Sequence, residues 1–169
     1  MSGVNLIELN DWLDSQLNTW DAWAKTSTHS WTSLSTGNER FPDLGLMFRH
    51  AFTPLHRYSD QALASDPADD SSVETSEWQP LYDWARTCLS RHREACLQLD
   101  PTRVDEMLEY RTRSAGSFRV SRRHALTHAA THCFWHLGGI AHLLRAQSIP
   151  PPQHSDFLFF AGQRDTEAG

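Results

Sequence analysis

Hydrophobic positions recur every three or four residues in four long stretches of the chain, and polar segments separate these stretches. This spacing places the apolar side chains on one face of an α-helix. Because no stretch shows a convincing strand alternation or a hairpin signal, the pattern predicts an all-α four-helix bundle. The stretches run from Asn5 to about Lys25, from Asp43 to Ala62, from Ser76 to Leu99, and from Ser121 to about Gln147.

Residues at the ends of these stretches are typical of helix termini. Asp43, Ser76 and Ser121 are N-cap residue types, because their side-chain oxygens accept bonds from free backbone N–H groups in the first turn. Pro54 lies inside the second helix and is expected to kink it or to remove one backbone hydrogen bond. The run of prolines at 150–152 ends the fourth helix.

The segments between the helices differ in composition. Residues 26–37 are rich in Ser and Thr and break the helical pattern, and residues 65–75 are acidic and small, which predicts an exposed loop. Residues 102–120 are ambiguous between a helical turn and an extended connection. The apolar block in the tail HSDFLFF is expected to pack back on the bundle. We expect one domain over residues 1–160 and a flexible tail over 161–169.

Composition narrows the classes of protein. A chain of 169 residues buries enough surface to fold without disulfides. The mean hydropathy of -0.55 and the absence of an apolar run of about 18 residues argue against a membrane span. Cys88, Cys96 and Cys133 are odd in number and form no CxxC pair, which favours reduced core thiols. The N-terminus has no secretory signal pattern, so a cytoplasmic location is expected.

The net charge of -6 disfavours nucleic acid as a partner. A local cluster of arginines is the exception, and we interpret it as a solvated, partly salt-bridged connection into the fourth helix. The cluster consists of Arg111, Arg113, Arg119, Arg122 and Arg123.

Three histidines on the fourth helix form a ladder. His128, His132 and His136 follow one another at intervals of four residues, so their side chains share one helix face. Two imidazoles one turn apart can bind the same metal ion, although a third protein ligand must come from elsewhere. Apolar and small neighbours such as Ala129 and Cys133 place the ladder in or beside the core. Because buried imidazoles need partners, the surroundings favour a metal site.

The fourth helix and the tail resemble those of the DinB/YfiT-like proteins, which are metal-binding four-helix bundles. The ladder is followed by GGIAHLLRAQSIPPP and HSDFLFF, and LGLMFRHAFTPLHRYSDQAL resembles the family's second helix, whose single histidine is the remaining ligand. The resemblance covers most of the chain, loosely outside these two helices. The matching positions are Ile140, Ala141, Leu143, Leu144, Arg145, Ile149, Pro150 and Asp156 to Phe159.

Carried over by position, the resemblance implies that His50, His132 and His136 are the ligands of a divalent metal. Zinc is the metal we expect, and nickel, iron or copper would also accept imidazole ligands. The sequence departs from the family at one point. Many members have Arg-Gly-Gln or Trp-Ala-Gln after the second histidine of the pair, whereas Leu137, Gly138 and Gly139 stand here.

The other histidines have competing interpretations. His56 is an alternative third ligand, but it lies six residues after His50 and therefore on another helix face. His128 either orients a ligand or is a buried histidine bonded to a carbonyl. His92, on the apolar stripe of the third helix, is interpreted as a core histidine. The surface interpretation applies to His29, His124, His142 and His154.

Three neutral imidazoles leave a metal ion with its full charge and at least one open position, which could activate water or a thiolate. The resemblance implies either activity, since relatives include thiol S-transferases, isomerases and presumed hydrolases. The expected substrate is a small molecule, such as a low-molecular-weight thiol. No general base is identifiable. The candidates for lining the pocket are Arg49, Tyr58, Trp135 and Asp156.

Two further hypotheses stay open. The chain could be a non-catalytic metal-binding or structural bundle that acts through partners, which the missing Arg-Gly-Gln motif favours. It could also form a homodimer through exposed aromatic side chains, and that is compatible with either function. The aromatic candidates are Trp31, Trp78 and the block Phe157 to Phe160.

Overall fold

A computed structural model of the chain describes residues 5–112, 116–153 and 160 and is mostly helical. Its four long helices are α1 Leu6–Thr26, α2 Leu44–Ala62, α3 Trp78–Gln98 and α4 Arg122–Ala146. A short 3-10 helix covers Trp31–Ser33. The strands are β1 Ser35–Asn38, β2 Phe41–Asp43, β3 Met107–Thr112 and β4 Gly116–Ser121. The four helices predicted by hydrophobic periodicity are therefore present, and the helical fold class is confirmed.

Helix α2 is the central element, because it packs along both α3 and α4, while α1 packs mainly on α3. The periodic apolar positions form the core that these helices share. Helix α1, for example, buries Leu13, Leu17 and Trp20 completely. Among the described helices, none combines the length with the apolar character that a membrane crossing needs.

Helix caps were predicted correctly at two positions and wrongly at a third. The Asp43 carboxylate accepts a 2.7 Å hydrogen bond from the N–H of Leu46, and Ser121 Oγ accepts one from the N–H of His124. Ser76 does not cap α3, which begins at Trp78 after Glu77 and has no side-chain cap. Ser76 is instead bound into the preceding loop, where its carbonyl accepts a 2.6 Å bond from Thr32 Oγ1.

The two antiparallel hairpins were not predicted. Strands β1 and β2 form the first, and β3 and β4 form the second, with Met107 opposite Ser121 and Thr112 opposite Gly116. The strands of the first hairpin are only four and three residues long, so they offer too few positions for an alternating pattern. Contacts with α2 and α4 support the hairpins. Within residues 102–120, the extended alternative is correct for the described residues 107–112 and 116–120.

Two residues shape the start and the middle of α2. A Cβ atom on Gly45 would lie 1.9 Å from the carbonyl oxygen of Thr75, so only glycine lets the helix approach this loop. Pro54 is buried within α2, which continues past it to Ala62. Since proline has no N–H, the carbonyl of His50 one turn earlier lacks its usual helical donor. The predicted loss of one backbone hydrogen bond therefore affects the carbonyl of His50, which is also a candidate metal ligand.

Of the aromatic residues proposed for a dimer interface, the structure describes Trp31, Trp78 and Phe160, and none of these three is exposed. Trp31 is buried, and Trp78 is half-buried against it, with ring centroids 5.7 Å apart. Both rings pack on Phe48 of α2, so they belong to the monomer's own core. Phe157 to Phe159 lie outside the described residues. The large exposed apolar side chains of the described part are Leu97, Met107, Phe118 and Trp135.

The loop between α2 and α3 is exposed as predicted, with one exception. Asp70 is buried, although the composition of residues 65–75 indicated a solvated segment. Thr53 Oγ1 donates a 3.0 Å hydrogen bond to its carboxylate, and Arg49 Nε lies 3.8 Å from the same oxygen. These two partners on α2 compensate for the loss of water around the charge. Asp70 therefore anchors the loop to the central helix.

The chain after α4 turns back towards α1. Ile149 is buried, and Trp23 Nε1 donates a 2.9 Å hydrogen bond to the carbonyl of Pro150. The prediction that the apolar tail block packs on the bundle concerns mainly residues 154–159, and the prediction of a flexible tail concerns residues 161–169. Both ranges lie outside the described residues.

Two of the five arginines in the predicted cluster form salt bridges, and Arg119 is exposed as predicted, whereas Arg122 is buried. Arg113 and the side chain of Arg111 lie outside the described part of the chain. Arg122 pairs with Glu106 at 3.1 Å, and Arg123 pairs with Asp105 at 3.0 Å. Cys88 and Cys133 are buried free thiols, and burial raises the pKa of both well above the usual value. Cys96 is half-buried, and burial raises its pKa to about 12.

Candidate metal centre

The packing of α2 on α4 brings three predicted histidines together. His50 comes from α2, and His132 and His136 come from successive turns of α4. Small buried residues lie next to them on both helices, including Ala51 and Cys133, so the two backbones can approach closely. The local helical period sets the spacing within α4, while the contact between helices adds His50.

The three imidazole rings form a compact group. Their centroids are 5.0 Å apart for His50 and His132, 4.9 Å for His50 and His136, and 4.4 Å for His132 and His136. Each ring offers one nitrogen such that all three nitrogens lie within 4.8 Å of one another. The three histidines are therefore within metal-binding distance of one another and are compatible with a bound ion.

The closest nitrogen pair has the spacing of two ligands on one ion. Nε2 of His132 and Nε2 of His136 are 3.2 Å apart. With metal–nitrogen bonds of about 2.05 Å, two nitrogens are about 3.4 Å apart at tetrahedral angles and about 2.9 Å apart at octahedral angles. The observed separation falls between these values. The spacing of this pair thus fits a first-row divalent metal, without selecting one, and His50 is close enough to be a third ligand.

Protein contacts leave these rings incompletely satisfied. Nδ1 of His136 is buried and makes no hydrogen bond with the described residues. Nδ1 of His132 is also buried, and although its ring lies near the backbone of Ala51, Nδ1 makes no hydrogen bond of standard geometry there. A neutral imidazole has one donor and one acceptor, and leaving either unbonded in the interior is unfavourable. The pair therefore differs from a histidine that serves only as a packed core residue.

The electrostatic surroundings keep all three rings neutral near pH 7. Burial is the main reason why the pKa of His50 is lowered, to about 3. The neighbouring rings and Arg40 lower this pKa further, and Asp70 raises it. Burial followed by the neighbouring rings lowers the pKa of His132 to about 4, and the backbone of Ala51 opposes this shift. Burial followed by the Arg40 charge lowers that of His136 to about 4. Neutral imidazole is the form that binds metal.

A cavity of about 1130 Å³ opens beside the three histidines. Phe41 of β2 covers one side of them, since its ring is 4.5 Å from that of His50 and 5.8 Å from that of His136. Strand β4 contributes Phe118 and Val120 to the wall. Both unpredicted hairpins therefore border the cavity. Its volume suits a small organic molecule.

Three charged residues of the cavity were not identified from the sequence, and one of them, Arg57, lies on α2. The other two come from a loop and a turn. Asp70 lines it from the loop that was predicted to be exposed. Arg40 lines it from the turn between β1 and β2, and its guanidinium carbon lies 5.1 Å from the centre of the Phe41 ring. No local pattern marks either residue, because one depends on a buried loop contact and the other on a hairpin without a sequence signal.

The residues proposed to line the pocket are found at different places. Tyr58 is buried, and its ring lies 5.8 Å from that of His128. His128 is exposed, so the alternative that it is a buried histidine is wrong, but its ring is 5.7 Å from that of His132. Arg49 and Trp135 also line the cavity. Asp156 lies outside the described residues.

His56, the alternative third ligand, faces away from the three histidines. Its Nδ1 lies 2.7 Å from a carboxylate oxygen of Asp60, and its ring stacks on Trp84 at 5.7 Å. The predicted difference in helix face is therefore present. His92 is fully buried in the core, as interpreted from its position on the apolar stripe. His29, His124 and His142 are exposed, as predicted, and His154 lies outside the described residues.

Comparisons with known proteins found no matching family model and no matching curated protein. The resemblance to the DinB/YfiT-like proteins stays a prediction.

Proposed function

We propose that this protein is a divalent-metal-dependent enzyme of the DinB/YfiT-like type, with His50, His132 and His136 as ligands and a small molecule as substrate. The observation that carries the proposal is the 3.2 Å separation of two Nε2 atoms, with a third imidazole in reach, beside a cavity of about 1130 Å³. Zinc is the proposed metal, since three imidazoles and an open position form a common catalytic zinc site.

The residues of the chain have distinct parts in this proposal. The bound metal would act as a Lewis acid that lowers the pKa of water or a thiol at its open position. His50, His132 and His136 supply neutral donors, because burial keeps their pKa values well below 7. Phe41 shields two of the rings from solvent on the hairpin side. The cavity leaves room for the substrate beside them.

The departure from the family motif bears on the identity of the reaction. Leu137 is buried, and a Cβ atom on Gly139 would lie 3.0 Å from the terminal methyl of Met47, so this turn packs closely on α2. Gly138 has no side chain to offer. Residues 137–139 therefore supply no polar group, and any proton transfer must use another residue. We propose thiol transfer and hydrolysis as the two reactions to test.

The test begins with protein purified without a histidine tag. Elemental analysis is expected to find about one equivalent of divalent metal per chain, most of it zinc. Panels of thiol-conjugation and ester substrates then measure turnover with and without added metal. His132→Ala and His136→Ala are expected to lose both metal and turnover. Stoichiometric metal that persists in both variants would show that the ligand set is wrong.

A non-catalytic metal-binding bundle is the second candidate. Asp70 favours it, because this carboxylate is the one that lines the cavity among the described residues, and Thr53 and Arg49 already engage it. Metal binding without turnover on either panel would support this alternative. Metal-dependent turnover that is lost in His132→Ala would exclude it.

A homodimer is still proposed, but through a different surface from the one predicted from the sequence. Trp135 is 75% exposed and lies next to His136, so it replaces Trp31 and Trp78 as the aromatic candidate. Light scattering at micromolar concentration would test this proposal. A monomeric mass would exclude the dimer, and a dimeric mass that Trp135→Ser reduces would support it.

A further inference from the structure

Positively charged side chains outnumber negatively charged ones among the residues that line the cavity. Among the described residues that line it, three are arginines and one is a carboxylate. The chain as a whole carries a net charge of -6, so this balance is the reverse of the protein's average. A cavity lined by one sign of charge concentrates ligands of the opposite sign. The arginines are Arg40, Arg49 and Arg57, and the carboxylate is Asp70.

The arginines differ in their partners. Arg49 donates a 3.2 Å hydrogen bond to the carbonyl of Val73 and lies beside Asp70. Arg57 also has a partner in the protein. The guanidinium of Arg40 forms no hydrogen bond or ion pair with the part of the chain that the structure describes, and it is exposed at the turn of the first hairpin. Arg40 is therefore the arginine available to a ligand.

The position of Arg40 relates it directly to the three histidines. Its neighbour Phe41 contacts the rings of both His50 and His136. Arg40 and the three histidines line the same cavity, so one ligand in that cavity can contact both. An unpaired cation near a divalent ion is unfavourable unless an anion lies between them. An anionic group on a ligand would satisfy both charges.

We propose that the cavity binds an amphipathic carboxylate, with the carboxylate group held by Arg40 at the hairpin turn and an apolar body against Phe41, Phe118 and Val120. A guanidinium forms two parallel hydrogen bonds with a carboxylate. A phosphate dianion fits less well, because it generally requires several cationic or N–H donors and only one arginine is available here. The inference rests on the proposed function, since it names the substrate class of the same site.

The experiment compares 4-phenylbutanoate with its neutral amide, 4-phenylbutanamide, by calorimetry on the zinc-loaded full chain. Arg40→Gln is expected to weaken carboxylate binding by about five- to tenfold and to change amide binding by less than about twofold. The change on substitution is diagnostic, because the metal itself also favours a carboxylate. Arg119→Gln is the matched control, since Arg119 is exposed on β4 and does not line the cavity. It is expected to bind both probes as the wild type does.

The outcomes separate this inference from the proposed function. Equal weakening of both probes in Arg40→Gln, an unchanged carboxylate affinity, or no binding of either probe would overturn the inference while metal analysis still supports the site. A carboxylate preference that depends on Arg40 in protein that retains no metal would support the inference and overturn the metal-dependent function. Metal content measured on Arg40→Gln is expected to equal that of the wild type.

Discussion

His92 and His136 are both buried histidines on long helices, but their ring nitrogens have opposite surroundings. Nδ1 of His92 accepts a 3.1 Å hydrogen bond from the Asn10 amide, and its Nε2 donates a 3.2 Å bond to the carbonyl of Leu126. Nε2 of His136 faces another imidazole nitrogen, and its Nδ1 has no hydrogen bond of standard geometry with the described residues. Both rings are buried, but only in His92 are both ring nitrogens hydrogen-bonded to the rest of the protein.

The difference separates a structural histidine from a candidate ligand. A neutral imidazole with one donor and one acceptor bonded is complete, so a metal would disrupt His92. Two imidazoles whose nitrogens converge on each other are incomplete without a further partner. Burial alone would have selected His92, which is the more buried of the two. The partners of each nitrogen are therefore the more informative criterion.

The largest expected effect is on metal affinity. His136→Ala removes a proposed ligand, and the affinity for zinc is expected to fall by more than about 100-fold, beyond the usual effect of altering a residue behind a ligand. His92→Gln is the control and should bind zinc as the wild type does. Competition with a chromophoric chelator measures both affinities. Similar affinities for the two variants would remove the distinction drawn between these histidines.

Matched leucine substitutions test the same contrast in metal-free protein. His92→Leu removes the imidazole that bonds both the Asn10 amide and the Leu126 carbonyl, although Asn10 keeps its 3.0 Å bond to the Leu89 carbonyl. The free energy of unfolding is therefore expected to fall by about 1 kcal/mol or more. His136→Leu removes a ring with one unbonded buried nitrogen and one contact to the half-buried His132 ring, so the expected change is smaller, less than about 0.5 kcal/mol. Urea unfolding in the presence of a chelator measures both. A larger loss at His136 would contradict the interpretation.

The pH dependence of stability provides a third test. Burial lowers the pKa of His92 to about 4 from an ordinary value of 6.5, and its bond to the Leu126 carbonyl opposes the shift. Its contribution is therefore complete above about pH 6.5 and is lost as the pH falls towards about 4, because the unfolded state binds the proton more tightly. The expected slope from this one group is at most about 1.4 kcal/mol per pH unit.

His92→Gln isolates that slope, because glutamine can accept from Asn10 and donate to Leu126 without titrating. Metal-free wild type and variant share the contribution of the three clustered histidines. As the pH is lowered from 6.5 to 4, the free energy of unfolding measured in urea is thus expected to fall less steeply for the variant than for the wild type. Identical slopes would show that His92 becomes protonated in the folded protein as easily as in the unfolded chain.

The smallest effect is expected at His128, the third histidine of the ladder. It lies 5.7 Å from the ring of His132 but is exposed, and among the described residues its side chain makes no hydrogen bond to a proposed ligand. His128→Ala is therefore expected to change zinc affinity by less than about threefold. The chelator competition used for His136→Ala serves here. A loss comparable to that of His136→Ala would make His128 a ligand.

The sequence by itself determined the four helices and the pair His132 and His136. Both depend on local periodicity, since the 3.6-residue turn sets which side chains share a face whatever surrounds the helix. The caps at Asp43 and Ser121 are local for the same reason. The first hairpin was missed because β1 and β2 are too short for an alternating pattern to appear. In the second hairpin β4 is six residues long but mostly exposed, so it has no alternation of buried and exposed positions.

Tertiary structure decided the rest of the candidate site. His50 was assigned only through a family resemblance, and the packing of α2 on α4 is what places its ring within 5.0 Å of His132. Asp70 is buried by contacts with Thr53 and Arg49, although its loop is acidic and polar throughout. Arg40 reaches the cavity because a hairpin turns there. Each of these positions depends on residues distant in sequence, and local patterns carry no information about such contacts.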